Sequence, residues 1–200
     1  MTGPRLILAS RSGGRRQMLE NAGVVFEVDA ANIDEDAVRD SLKAEGAPVE
    51  QVAETLAELK ARRVSARQPG ALVLGADQML ECEGRWYDKP ESVAVARDHL
   101  LSLAGRTHRL ISSVVLLRDE ARLWHETAVA AMTMRPFTDG FLDSYLEAVG
   151  DRVCTSVGCY QVEGPGLQLF HRIDGDHFTI VGLPLLPVLD QLRVQGVLPS

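Results

Sequence analysis

The chain has 200 residues, 46% of them hydrophobic and 24% charged, a globular balance that excludes disorder as the dominant state. At this length roughly 70% of the unfolded surface is buried without disulfide staples, which suits one domain or two closely packed lobes with no linker between them. With 21 Lys and Arg against 28 Asp and Glu, the formal charge is −7, which argues against a nucleic-acid polymer or an anionic membrane as partner.

In chain order, Arg5 to Ala9 reads as a short strand, and Ser10-Arg11-Ser12-Gly13-Gly14 as a turn. Arg15 to Ala22 follows as a helix with Met18, Leu19 and Ala22 on one face and Gly23 as its left-handed stop. Val24 to Val28 is a second strand, and the acidic cluster Asp34-Glu35-Asp36 reads as a solvated loop or as a holder of a hard cation. Val52, Leu56 and Leu59 give Pro48 to Arg67 an amphipathic helical period. Ala71 to Gly75 is a buried strand ending at Asp77, and Val93 to Leu103 is a helix stopped by Gly105. Leu110 to Leu117 and Thr127 to Met134 flank the polar pair Asp119-Glu120 as a hairpin. A helix capped by Thr138 and ended by Gly150 precedes a glycine-rich stretch from Gly158 to Gly182, and Pro184 to Gln195 closes the chain as a helix. Interleaved strands and helices with a hairpin imply an α/β protein with a mixed sheet.

The apolar run Leu6 to Ala9 is too short for the core of a secretory signal, and no stretch approaches the ~18 apolar residues of a membrane span. Cys82, Cys154 and Cys159 form no CxxC, and their odd number fits reduced thiols and a cytoplasmic setting; a Cys154–Cys159 bridge or metal pair is the alternative.

Chemistry is first suggested by LILASRSGGRRQML. A helix N-terminus offers unpaired N–H groups and a positive dipole end to an anion, and Ser10, Ser12, Gly13 and Gly14 let a phosphate come close. Arg15 and Arg16 oppose that dipole, a conflict that an anionic ligand resolves; the competing reading is a capped helix with two solvated arginines. Asp77 in VLGADQML stands where open α/β sheets place their ligands, or is an ordinary turn residue. Lys60 on its helix and Lys89 before Pro90 are, taken singly, solvated charges. Other chemistries lack their signatures: there is no GxxxxGK[ST], no GxSxG, and Val129 stands where HExxH needs its second histidine.

Taken together, LILASRSGGRRQML, LAELKA, VLGADQML, DKP, LAGRTH, GCYQVEG and IDGDHFTIVGLPL resemble, in order and spacing, the Maf family of nucleoside triphosphate pyrophosphatases. The resemblance runs nearly end to end. It implies an elongated, inosine-triphosphatase-like α/β fold with a central mixed sheet flanked by helices, a deep cleft and commonly a homodimer. It also implies metal-dependent cleavage between the α- and β-phosphates, giving a monophosphate and pyrophosphate. On that reading Ser10, Ser12, Arg15, Lys60 and Lys89 neutralise the phosphates, Asp77 accepts the proton of the attacking water, and Glu35 joins Asp77 in holding Mg²⁺ or Mn²⁺. The sequence departs from the family pattern at Gly14, Gln78 and Glu163, positions associated with base selection. The branch acting on dTTP and UTP carries Arg, Thr and Gln there. Gln78 and Glu163 look more like the branch acting on 7-methyl-GTP, whose cationic base a carboxylate favours, although that branch tends to be bulky where this chain has Gly14. The family has also been linked to arrest of septum formation, so a non-catalytic nucleotide-binding regulator is the rival expectation.

Overall fold

The computed structural model describes residues 3–199. The chain divides into two compact units, the first made of Met1–Asp77, Ser112–Ala128 and Gly182–Ser200, the second of Gln78–Ile111 and Val129–Val181. In the first, β1 (Leu6–Leu8) pairs in parallel with β2 (Glu27–Val28) and with β3 (Leu72–Cys82), Ile7 lying opposite both Glu27 and Val73. All three residues of β1 are buried, as parallel strands covered on both faces require. The unit's core joins Ile7 of β1, Ala9 just after it and Val73 of β3 to Ala57, Ala61 and Val64 of α3 (Val49–Ser65). The helices α1 (Gly13–Asn21), α2 (Glu35–Ala44) and α7 (Leu185–Val194) belong to the same unit.

The second unit takes the far end of β3, which turns back into β4 (Arg85–Tyr87) with Leu80 opposite Tyr87. The two-residue turn uses Glu83 (φ 52) and Gly84 (φ 82), the left-handed pair that a tight hairpin demands. The helices α4 (Val93–Leu103) and α5 (Asp139–Val149) pack with Leu80, Leu110 and Met132 in its core. Two 3-10 turns follow, then β7 (Phe170–Asp174) and the short helix α6 (His177–Val181). Two long strands, β5 (Thr107–Arg118) and β6 (Ala121–Met134), are joined by Asp119 and Glu120, both at positive φ. The sheet order is β2-β1-β3-β5-β6-β7, with β4 on β3. Parallel pairs in β1–β2 and β1–β3 and antiparallel pairs in β3–β4 and β6–β7 make it the mixed sheet that the sequence implies.

Several boundaries differ from the sequence reading. Ser12 Oγ accepts from Arg15 N, so α1 begins at Gly13 rather than Arg15. The acidic cluster opens a helix, with Asp34 Oδ1 capping Ala37 N at 3.1 Å. The strand assigned to 71–75 continues to Cys82, so Asp77 lies inside it and not past its end. The glycine-rich stretch contains β7 and α6, whose short runs carry no clear period. Thr138 does cap α5, accepting from Phe141 N at 3.3 Å, and Gly150 does end it at φ 58. The three cysteines are free thiols, and no helix of the described residues is long and apolar enough to cross a membrane.

The second unit also buries His108 on β5, its Nε2 2.6 Å from Tyr160 Oη. Burial lowers this imidazole from the ordinary 6.5 to about 4. Between these values the unfolded chain binds a proton that the native state refuses, so stability falls as pH drops through the window. The full loss is about 3 kcal/mol. Denaturant unfolding from about pH 7 to about pH 4 is expected to show it, with a shallower slope in His108→Gln; an unchanged slope in that variant contradicts the assignment.

Candidate active site

The turn after β1 brings its two serines to different tasks. Ser12 caps α1, while Ser10, itself buried, accepts from Ser12 N at 3.2 Å and from Arg15 Nη1 at 3.3 Å. The two arginines of the first turn separate completely. Arg16 is exposed and pairs with Glu20 one turn on, at 2.7 Å. Arg15 folds inward, donating from Nε to the Gly182 carbonyl at 2.7 Å and from Nη1 to the Ala76 carbonyl at 2.9 Å. Two solvated arginines are therefore not what the chain forms. Burial pushes the Arg15 guanidinium down from its ordinary pKa, while the charges of Asp77 and Glu35 push it up; an arginine stays charged under such pressure. Its Nη2 makes no hydrogen bond among the described residues.

Asp77 owes its neighbour to a glycine two residues before it. A Cβ on Gly75 would lie 2.2 Å from the Ala57 carbonyl and 2.8 Å from Ala61 Cβ. Only a bare α-carbon lets α3 come this close to β3. Ala57 and Ala61 mark the contact face, and Lys60, three residues beyond Ala57, falls beside it. Its Nζ donates to Asp77 Oδ1 at 2.6 Å and to Glu35 Oε2 at 2.7 Å. The Lys60 and Asp77 side chains are 10% and 7% exposed, that of Glu35 38%. Glu35 reaches in from the first turn of α2, so three elements converge on one ammonium.

Asp77 Oδ2 is buried and has no hydrogen-bond partner among the described residues. A carboxylate oxygen in that state costs about 1–3 kcal/mol, and a cation or a water would satisfy it. Asp77 and Glu35 present hard oxygen donors of the kind Mg²⁺ and Mn²⁺ take. No group of three or more His, Cys, Asp or Glu among the described residues is arranged for a metal. Two carboxylates, one with an unpartnered buried oxygen, fit a cation of the kind that takes one or two protein carboxylates and completes its shell with water and substrate oxygens.

Gly14 is the second residue of α1 and half-buried. The other three residues expected at the site belong to the second unit. Gln78 Nε2 donates to the Thr179 and Ile180 carbonyls at 3.1 and 3.0 Å, fastening α6, which Asp176 Oδ2 holds through Thr179 N at 2.9 Å. Lys89 is exposed between β4 and α4. Glu163 is exposed and lines a pocket of about 130 Å³ with Tyr145, Val149, Arg152 and Gln161.

The profile of the Maf family, described as Maf-like protein, matches residues 5–195. The chain belongs to the Maf family. Curated relatives cover it almost completely. A "Nucleoside triphosphate pyrophosphatase" of Paramagnetospirillum magneticum is 56% identical over 96% of this chain and 99% of its own. One of the same name from Rhodospirillum rubrum is 52% identical over 98% of each. A "7-methyl-GTP pyrophosphatase" of Rhizobium etli is 50% identical, again over 98% of each.

In this Maf chain, sequence reasoning passed over two site-building residues. Gly75 carries a signal, an isolated glycine in a strand, which points to a close backbone approach. Gly182 contributes a carbonyl, which no side-chain pattern marks.

Proposed function

We propose that this Maf protein is a nucleoside triphosphate pyrophosphatase that hydrolyses the α–β phosphoanhydride to a nucleoside monophosphate and pyrophosphate. The observation that supports this most is the state of Asp77: Oδ1 is held by Lys60 at 2.6 Å, and Oδ2 is buried without a partner. Held from one side, the carboxylate has its other oxygen available to orient a water and take its proton as the water attacks phosphorus. Ser10, Ser12 and the N-terminus of α1 bind phosphate oxygens. Arg15, Lys60 and Lys89 stabilise the charge that develops on the leaving pyrophosphate. A divalent Mg²⁺ or Mn²⁺ held by Asp77 and Glu35 supplies Lewis-acid polarisation and charge neutralisation of the phosphates.

For the base, the reading is a modified or purine nucleotide of the 7-methyl-GTP type, read by Gly14, Gln78 and Glu163. The Glu163 carboxylate in its pocket suits the delocalised positive charge of N7-methylguanine, and several curated relatives carry the 7-methyl-GTP name. The setting is cytoplasmic and the assembly a homodimer.

Pyrophosphate release from a panel of common and N7-methylated triphosphates, with Mg²⁺ and Mn²⁺ compared, tests this. Turnover is expected to be fastest on 7-methyl-GTP. Chelation with EDTA is expected to lower it by about 10²-fold or more, with recovery on adding metal back. Fastest turnover of dTTP and UTP overturns the base preference, and no pyrophosphate from any nucleotide overturns the enzyme in favour of a binding regulator.

A further inference from the structure

Lys60 sits where a cation between Asp77 and Glu35 would sit. Its Nζ is 2.6 Å from Asp77 Oδ1 and 2.7 Å from Glu35 Oε2, distances of charge-assisted hydrogen bonds. The buried Arg15 guanidinium feels the same two carboxylates. Two anions and two cations leave this cluster neutral as it stands. A divalent ion entering alone would add two uncompensated positive charges in a poorly solvated place, close to an ammonium already on the same oxygens. A metal arriving with a polyphosphate brings its own compensation and gives the ammonium new oxygens to bind.

We infer that Lys60 is the resident cation of the Asp77–Glu35 pair in the free protein, yielding that place to the divalent ion only when a polyphosphate receives its ammonium. The inference rests on the metal placement in the proposed function and goes further, to the order of assembly. Lys60 makes the bare protein a weak binder of the metal and couples metal affinity to nucleotide affinity, equally in both directions. A long, unbranched side chain can make that exchange by rotating about its own bonds, without moving α3.

The test is Mn²⁺ titration of the full chain, with free Mn²⁺ read by electron paramagnetic resonance and no turnover involved. Without nucleotide, Lys60→Met is expected to bind Mn²⁺ about tenfold or more tighter than wild type. A non-hydrolysable α,β-methylene nucleoside triphosphate is expected to tighten Mn²⁺ binding to wild type by about tenfold or more, after correction for metal held by the analogue in solution. In Lys60→Met that coupling shrinks. Equal or weaker Mn²⁺ binding by folded Lys60→Met overturns the inference. Lys60→Gln takes its place if circular dichroism shows the Met variant unfolded. If neither folds, the wild-type coupling decides, and its absence overturns the inference. Asp77→Asn separates the two levels. If it weakens Mn²⁺ binding while Lys60→Met leaves it unchanged, the metal placement stands and the competition falls. If Mn²⁺ binding is indifferent to Asp77, both fall.

Discussion

At saturating nucleotide and metal, Asp77→Asn is expected to lower kcat for pyrophosphate release by about 10³-fold. Asparagine keeps the shape of the side chain and an oxygen for Lys60, so the hydrogen bond at Oδ1 survives in weakened form. The lost feature is the negative charge at the buried Oδ2, the atom to which the attacking water would give its proton. An amide oxygen is too weak a base for that transfer. Lys60 keeps Glu35 as a charged partner at 2.7 Å, so the cost of stranding its ammonium stays below the 3–5 kcal/mol typical of breaking a buried pair outright. Steady-state kinetics, run beside a thermal melt and a nucleotide-binding isotherm, separates loss of chemistry from loss of fold. A folded variant retaining more than about a tenth of wild-type kcat removes Asp77 from the role of base.

Gly75→Ala tests what brings Asp77 and its lysine together. The added Cβ would meet the Ala57 carbonyl at 2.2 Å and the Ala61 main-chain nitrogen at 2.8 Å. Both are main-chain atoms of α3, so no side-chain rotation relieves the overlap and the helix must move off the strand. The expected cost is about 3 kcal/mol, at the upper end of overpacking, or roughly a 10 °C drop in Tm for a chain of this size. A shift of about 1 Å between α3 and β3 also separates Lys60 from Asp77, so kcat/KM is expected to fall by about 10²-fold at a temperature where the variant is fully folded. A melt and kinetics on one preparation check both, and wild-type values in both contradict the close approach of α3 and β3.

Local sequence was sufficient wherever a residue's conformation depended on its immediate neighbours. Val93 and Leu103 bound α4 as the local pattern predicts, and Asp119-Glu120 form the turn between β5 and β6, because caps and tight turns are satisfied within four residues. Boundaries failed where a distant partner decided. The local pattern closes the strand of 71–75 at Asp77, a residue depleted in strands. Lys60, 17 residues away, and the Thr179 and Ile180 carbonyls, 101 and 102 residues away, supply the partners that let β3 continue through Asp77 and Gln78.

The serine- and glycine-rich turn after β1 and the carboxylate at Asp77 are legible as candidates because backbone geometry and strand position place them. The family motifs supplied the rest of the candidate residues but not their contacts. The acidic cluster shows what was missing. As sequence, Asp34, Glu35 and Asp36 are three equivalent acids. In the fold, Asp34 caps α2, Asp36 pairs with Arg39 on the same helix, and Glu35 crosses to Lys60. Arg15 and Arg16 divide in the same way, one turned inward onto main-chain carbonyls and the other outward to Glu20. A net charge of −7 therefore determined only which large polyanionic partners to discount. Which charges meet, and which lie buried beside one another, was decided by tertiary structure, because charges act over a few ångströms of space and those few ångströms join residues far apart in the chain.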